Sequence, residues 1–355
     1  MGGIESVHSY PMRSLILVLF CSTLLPDSPV VSQTLGGQSA FQFVKLPNCP
    51  QLTALGGVNV SAISPDIGPS FQNPSLLRKE MSGRMTASFG MFQDGFKDLH
   101  ALAGWRYEPW GTNFSLGTHY ISYGQAMQTD ASGNILGEFS PRDMVIQLTA
   151  SRKYLEHWHY GVSLKYISSL YGMYRSSAIA MDVGINYFDS ASLLQLGFVT
   201  KNMGAQLHTY AGQGEDMPFD LQLGITKRLK MLPVQFSITA QRLHQFDIQY
   251  RDTLFNVDNY GNAGKSTFTG KLFRHFIFAV QGYVAGRVEL TLAYNVLRKQ
   301  ELSIGNTANG STGFSYGIGV LLDRFQLRFA RAPYQRQFAM NQLGISLDLN
   351  AKRKN

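Results

Sequence analysis

The stretch WHYGVSLKYI, Trp158–Ile167, sets Trp158, Tyr160, Val162, Leu164 and Tyr166 at every second position, with His159, Gly161, Ser163 and Lys165 between them. Successive side chains on a strand point to opposite faces, so this reads as a β-strand with one apolar and one polar face. In a soluble sandwich the apolar face packs on a second sheet. In a membrane barrel it meets lipid, and the polar face lines the interior. The rest of the chain decides between the two.

The pattern recurs. Phe219, Leu221, Leu223 and Ile225 alternate with Asp220, Gln222, Gly224 and Thr226, and Leu343, Ile345, Leu347 and Leu349 alternate with Gln342, Gly344, Ser346 and Asp348. Leu99, Ala101, Ala103, Trp105 and Tyr107 make a third such face. About fourteen strand-like segments follow one another from Arg84–Phe92 to Met340–Asn350, broken at Gly, Pro, Asn and Asp. Most have the ~9–11 residues that a tilted strand needs to cross a bilayer, rather than the ~5–6 of a globular strand.

The connections sort themselves. Those after even-numbered segments are compact: EPWGT, YLEH, FDSA, KMLP, YVA and DR. The long ones, Gly124–Arg142, Asn202–Pro218, Asp247–Lys271 and Lys299–Thr312, each follow an odd-numbered segment. Bacterial barrels keep both ends of the sheet and the short turns on the periplasmic side and the long loops outside. The expected fold is therefore an all-β, transmembrane, antiparallel β-barrel of about fourteen strands, with His159, Lys165, Asp220 and Gln222 facing the lumen. One segment fits less cleanly. LFRHFIFAVQG, Leu272–Gly282, is apolar on both sides apart from Arg274, His275 and Gln281, so it either touches something inside the barrel or is out of register.

Composition agrees with a lipid-facing sheet. Among 355 residues, charged side chains make up 15%, against roughly 25% in an average soluble domain, while Gly (35), Phe (23) and Tyr (17) are plentiful. The net charge of +8 would suit nucleic acid. However, residues 1–32 read as a secretory signal: Arg13, the apolar run Ser14–Leu25, Pro26 and Pro29, then a small residue at Ser32. That run is too short for a spanning helix, which needs ~20 residues. Export excludes a nucleic-acid partner and favours anionic lipid head groups or lipopolysaccharide. Cys21 falls in the signal and Cys49 is left single, so no internal disulfide is expected. The remaining parts are an N-terminal segment 33–83, rich in prolines and turns and able to fold into the lumen as a plug, a barrel over 84–350, and a basic tail 351–355.

No residue pattern calls for an enzyme, a metal or a cofactor. GVSLK, Gly161–Lys165, lacks the second glycine of a nucleophile elbow and sits in mid-strand. His157 and His159 share one strand face but have no third ligand. Functional interest falls on the external loops, where Tyr210, Glu215 and Asp216 occur together, as do Asp252, Phe255, Asp258 and Tyr260. Aromatics mixed with a few charges at an exposed tip suit protein recognition.

Several motifs are familiar. ALGG (Ala54–Gly57), Asp66 and FQNPSLL (Phe71–Leu77) resemble the N-terminal signature of fatty-acid-transporter-like barrels, with Ser75 where that pattern has alanine. ILGEFSPRDM (Ile135–Met144) and the stretch Lys201–Leu229 resemble the PorV/PorQ family of the type IX secretion system, over nearly the whole of Leu35–Asn350. The resemblance implies a non-enzymatic barrel without cofactors, anchoring a PorZ-like surface protein alongside a PorU-like sortase and a PorV-like barrel. The C-terminal LDLNAKRKN departs from the aromatic ending common in such barrels. The other reading is a channel for hydrophobic small molecules, prompted by the N-terminal signature and by apolar inner residues such as Phe273 and Ile277.

Overall fold

The computed structural model describes residues 39–92, 95–210, 212–248, 267–302, 310–334 and 338–350. Its strands are β1 (Arg84–Met91), β2 (Lys97–Tyr107), β3 (Thr112–Ser122), β4 (Ala126–Thr129), β5 (Ile135–Phe139), β6 (Arg142–Tyr154), β7 (Trp158–Tyr171) and β8 (Tyr174–Asp189). They continue as β9 (Leu194–His208), β10 (Asp220–Arg228), β11 (Val234–Ala240), β12 (Phe276–Val284), β13 (Val288–Asn295), β14 (Phe314–Leu321), β15 (Phe325–Pro333) and β16 (Ala339–Asp348). The short helices are α1 (Pro50–Ala54), α2 (Phe268–Phe273) and α3 (Val296–Glu301).

Fourteen of these strands pair antiparallel with their neighbours into one closed barrel. β16 returns to β1, from Arg84↔Asp348 to Met91↔Asn341. β4 and β5 form a separate hairpin within the connection between β3 and β6. One rim carries the tight turns and the other the long connections, as their spacing in the sequence predicts.

The opening stretch shows how the wall is built. On β7, Leu164 is 54% exposed while Ser163 and Lys165 beside it are 0% and 4% exposed. Trp158, Tyr160, Val162 and Tyr166 also point outward, like Leu343, Ile345 and Leu347 on β16. A belt of exposed aromatic and aliphatic side chains around the whole barrel is unfavourable in water at about 25 cal/mol per Å². In hydrocarbon it carries no such penalty, and the closed ladder leaves no strand edge unpaired. No described helix is long and apolar enough to cross a membrane.

Several boundaries differ from the alternation. β9 runs on to His208 instead of stopping near Lys201, because Asn202 takes a left-handed conformation (φ 57°) that absorbs a bulge against β8 and lets the strand resume. β11 stops at Ala240, and the last turn of the expected β13 is the helix α3. The run Leu272–Gly282 is apolar on both sides because it is two elements, the end of α2 and then β12. Phe273 therefore lies exposed on a helix and not on the lumen wall, which corrects that assignment. Ile277 does point inward, against Gly56.

Residues 39–83 fill the barrel. α1 packs on β13–β16, and the turn Pro74–Leu76 packs on β6–β8 across the lumen. From Pro47 to Arg78 nearly every residue is buried, with Pro65 the one exposed position. The signal segment 1–32 and the tail 351–355 lie outside the described residues.

Candidate functional site

The lumen is where sequence-distant groups converge. Its half toward the short-turn rim holds the inserted segment through buried polar contacts. Asp66 accepts a bond from Gly68 N–H and pairs with Arg328 (3.1 Å), which also reaches Glu289 (3.3 Å) and Gln326 (2.7 Å). Arg78 contacts the His159 ring at 3.2 Å and donates to Asn186. Asn73 Nδ2 donates to Val60 O (2.7 Å), while its Oδ1 accepts from Ser75 N–H (3.1 Å) and Ser75 Oγ (2.7 Å). The departure to Ser75 thus adds a bond that alanine would lack. At the opposite, long-loop end of β13, Gly56 and Gly57, both at positive φ (91° and 100°), turn the chain so that Gly56 O accepts from Asn295 (3.0 Å) and Arg298 (2.8 Å).

Wall glycines complete the seat. A Cβ on Gly197 would lie 2.0 Å from Val60 O, and one on Gly184 would lie 2.1 Å from Asn73 Oδ1. Gly161 of the opening stretch faces the Pro74 carbonyl in the same way, at 2.6 Å. These inward positions carry no side chain because the inserted segment occupies that space, by backbone at Gly197 and Gly161 and by the Asn73 side chain at Gly184.

In mid-lumen, Lys165 pairs with Asp182 (2.5 Å) and donates to Asn202 Oδ1 (3.0 Å), and Asn202 N–H donates to Asp182 (2.8 Å). Lys201 donates to Gln72 of the inserted segment. Asp220 accepts from Arg242 N–H (2.7 Å) and from Gln222 (2.6 Å). His159, Lys165, Asp220 and Gln222 are all buried on the inner face. His157 bonds the Phe188 carbonyl (2.9 Å), and no group of three or more metal-ligating side chains occurs among the described residues. Cys49 is buried and free.

The half toward the long-loop rim is different. Phe41, Phe43 and Val44 of the inserted segment share one apolar cluster with Ile121, Val145, Ile167, Ala178 and Ala180 of the wall, with Leu46, Phe96, Tyr123 and Met217 at the margin, and the cluster continues through Phe71, Leu102 and Leu77 to Ile67 and Met81. The inward wall of β3, β6, β7 and β8 is thus apolar at this level, and the chain's own aromatic residues occupy it.

The loop candidates sit at the edge of this cluster. Tyr210 is half-buried, 6.4 Å from Phe41 and 5.9 Å from Tyr171 between ring centres. Burial raises its pKa. Asp216 offers its carbonyl to Ala40 N–H (3.0 Å), and Glu215 N–H donates to Gln206 (2.7 Å). This loop therefore grips the start of the inserted segment. Asp252, Phe255, Asp258 and Tyr260 lie outside the described residues. Nearby, burial raises Glu301 while Arg242, 3.5 Å away, opposes it, and burial lowers His244 while Asp220 opposes it. The sequence reading missed the wall glycines and the pairing of Tyr123 and Tyr171 on Asp143. The first had a signal, glycine in the inward phase of a strand.

No protein-family model matches the chain, and no curated protein matches it by sequence. Solved barrels are similar in architecture. The toluene transporter TodX of Pseudomonas putida is 10% identical over 83% of this chain and 96% of its own, with a TM-score of 0.48. The CymD monoaromatic hydrocarbon channel is 12% identical over 87% and 97%, with a TM-score of 0.46. A FadL homologue of Pseudomonas aeruginosa is 9% identical over 86% and 96%, with a TM-score of 0.42. The chain is thus similar in outline to outer-membrane barrels described as channels, and its own geometry has to supply any functional reading.

Proposed function

We propose that this barrel resides in the outer membrane of a Gram-negative bacterium and admits a hydrophobic small molecule into its lumen from the long-loop side, with the N-terminal segment as the gate. The observation that carries this reading is the apolar inner wall at Ile121, Val145, Ile167, Ala178 and Ala180, filled by Phe41, Phe43 and Val44. A lumen built for water or ions would be polar there. An apolar seat filled by a flap of the same chain is a site where a guest can replace the flap, since burying apolar surface of either kind gains similar free energy. The test is saturable binding of 2-phenylethanol to the purified full chain in detergent, repeated with Phe41→Ala/Phe43→Ala. The reading expects tighter binding in the variant, because the competing side chains are gone. Equal absence of binding in both proteins would sink it.

A second reading is favoured by the other half of the lumen. Asp66–Arg328–Glu289, Arg78–Asn186 and the glycine seats tie the segment down, which suits a closed barrel serving as a platform. On that reading the external loops hold a PorZ-like surface protein, with PorU-like and PorV-like components and lipopolysaccharide as neighbours, as in the type IX secretion attachment complex. Mild-detergent extraction of the tagged protein from its own cells, followed by mass spectrometry, separates the two. Recovery of a large surface protein with a sortase supports the platform, and recovery of the barrel alone supports the conduit.

A further inference from the structure

Asp143, on the inner face of β6 at the long-loop end, is 1% exposed and lies beside the apolar cluster, with Ile121 and Ser169 as its cross-strand neighbours. Tyr123 OH donates to its Oδ2 at 2.5 Å and Tyr171 OH donates to the same atom at 2.9 Å. The other oxygen, Oδ1, and the neighbouring Ser169 Oγ, on a residue only 2% exposed, make no hydrogen bond of good geometry, although Ser169 lies within reach of both Asp143 and Tyr210. No Lys, Arg or His forms an ion pair with Asp143 among the described residues. His119 on the adjacent strand is held by Asp98 at 2.6 Å. Aromatic rings surround the group: Tyr123 and Tyr171 are 6.0 Å apart, Tyr171 and Tyr210 5.9 Å, and Phe96 and Tyr123 5.5 Å.

A buried carboxylate is costly unless it is paired and fully hydrogen-bonded. Two neutral phenols on one oxygen and a poorly aligned serine hydroxyl near the other leave the charge uncompensated. The group that would answer all three features is a protonated amine. It brings the opposite charge, several N–H donors for Asp143 Oδ1 and Ser169 Oγ, and an attraction to aromatic faces. An alcohol supplies one donor and no charge, and a carboxylate is repelled. We infer that the Asp143 cluster receives the protonated amine head of a guest whose apolar body lies in the adjoining seat of Phe41 and Phe43. This inference rests on the guest-site reading above and specifies the guest's chemistry.

The experiment is calorimetric titration of the full-chain barrel in detergent at neutral pH with three probes of one shape: phenethylamine, 2-phenylethanol and 3-phenylpropionate. The amine is expected to bind about tenfold or more tighter than the alcohol, the range of a charge-assisted hydrogen bond, and the acid weakest. Asp143→Asn should bring the amine down to about the level of the alcohol, with a much smaller change for the alcohol, which loses no charge pairing. Should Asp143→Asn fail to assemble, Tyr171→Phe serves instead. It keeps the ring but removes a competing donor, and is expected to widen the preference for the amine about twofold to tenfold. Binding of alcohol and amine alike, in the wild type or unaltered by these substitutions, overturns the head-group assignment while the guest site stands. Binding of none of the three overturns both.

Discussion

The two halves of the lumen hold the same inserted segment by different chemistry. Toward the short-turn rim the contacts are ions, amides and backbone seated against glycine. Toward the long-loop rim rings and aliphatic side chains predominate along β3, β6, β7 and β8, with Asn295 and Arg298 on Gly56 O as the polar exception. A buried ion pair that loses one member leaves the other charged and unpaired, so the first half resists partial release. An apolar contact can be given up to another apolar body at little net cost, so the second half can exchange. On the proposed reading the segment is anchored at one end and replaceable at the other, as a gate would be.

That contrast can be broken most forcefully at Gly197. Gly197→Val puts branched carbon where Val60 O now lies 2.0 Å from the Cβ position. The segment should leave its seat, seen as a rise in planar-bilayer conductance and as protease cleavage within 47–78. An unchanged, closed barrel would show that the seat yields. Next comes Arg328→Met, which strands Asp66 and Glu289 in the interior. A loss of about 3–5 kcal/mol is expected in urea unfolding of the folded barrel. Phe43→Ala should cost about 3 kcal/mol, the low end for a buried aromatic, and part of that loss should return on adding benzene. No such return is expected for Arg328→Met, so equal rescue of both variants would erase the distinction between the two halves. Smallest is Tyr210→Ala, at about 1 kcal/mol, the order of an aromatic pair at a half-exposed edge. It should also speed hydrogen exchange at Ala40 N–H.

Much of the wall was legible because lipid imposes a strict period of two. Trp158–Ile167 and Leu343–Leu349 announce their faces without any knowledge of partners, and loop lengths order the rims. The site was less legible because its pairs are remote. Asp66 and Arg328 are 262 positions apart, and Asp143 draws Tyr123 and Tyr171 from 20 and 28 positions away. No local pattern encodes such meetings. The bulge at Asn202 was hidden because one left-handed residue restores the alternation on its far side. Tyr210, read as a recognition residue, also packs its ring near Phe41, and Asp216 meets the start of the inserted segment through its backbone while staying exposed, contacts that only the fold reveals. Gly161 was in plain view in the deciding stretch, and its missing side chain recorded the presence of something inside.

Ser39 lies at one rim and Arg84, where the wall begins, at the other. The chain therefore passes once through the lumen before its first strand, and that strand pairs with the last, Arg84 meeting Asp348 at 3.2 Å. This favours one order of assembly. With Gly197 and Gly184 pressed so closely on Val60 and Asn73, a finished cylinder leaves little slack for threading a folded segment. Residues 39–83 are expected to be in place when the final strand arrives and the β1–β16 seam closes around them.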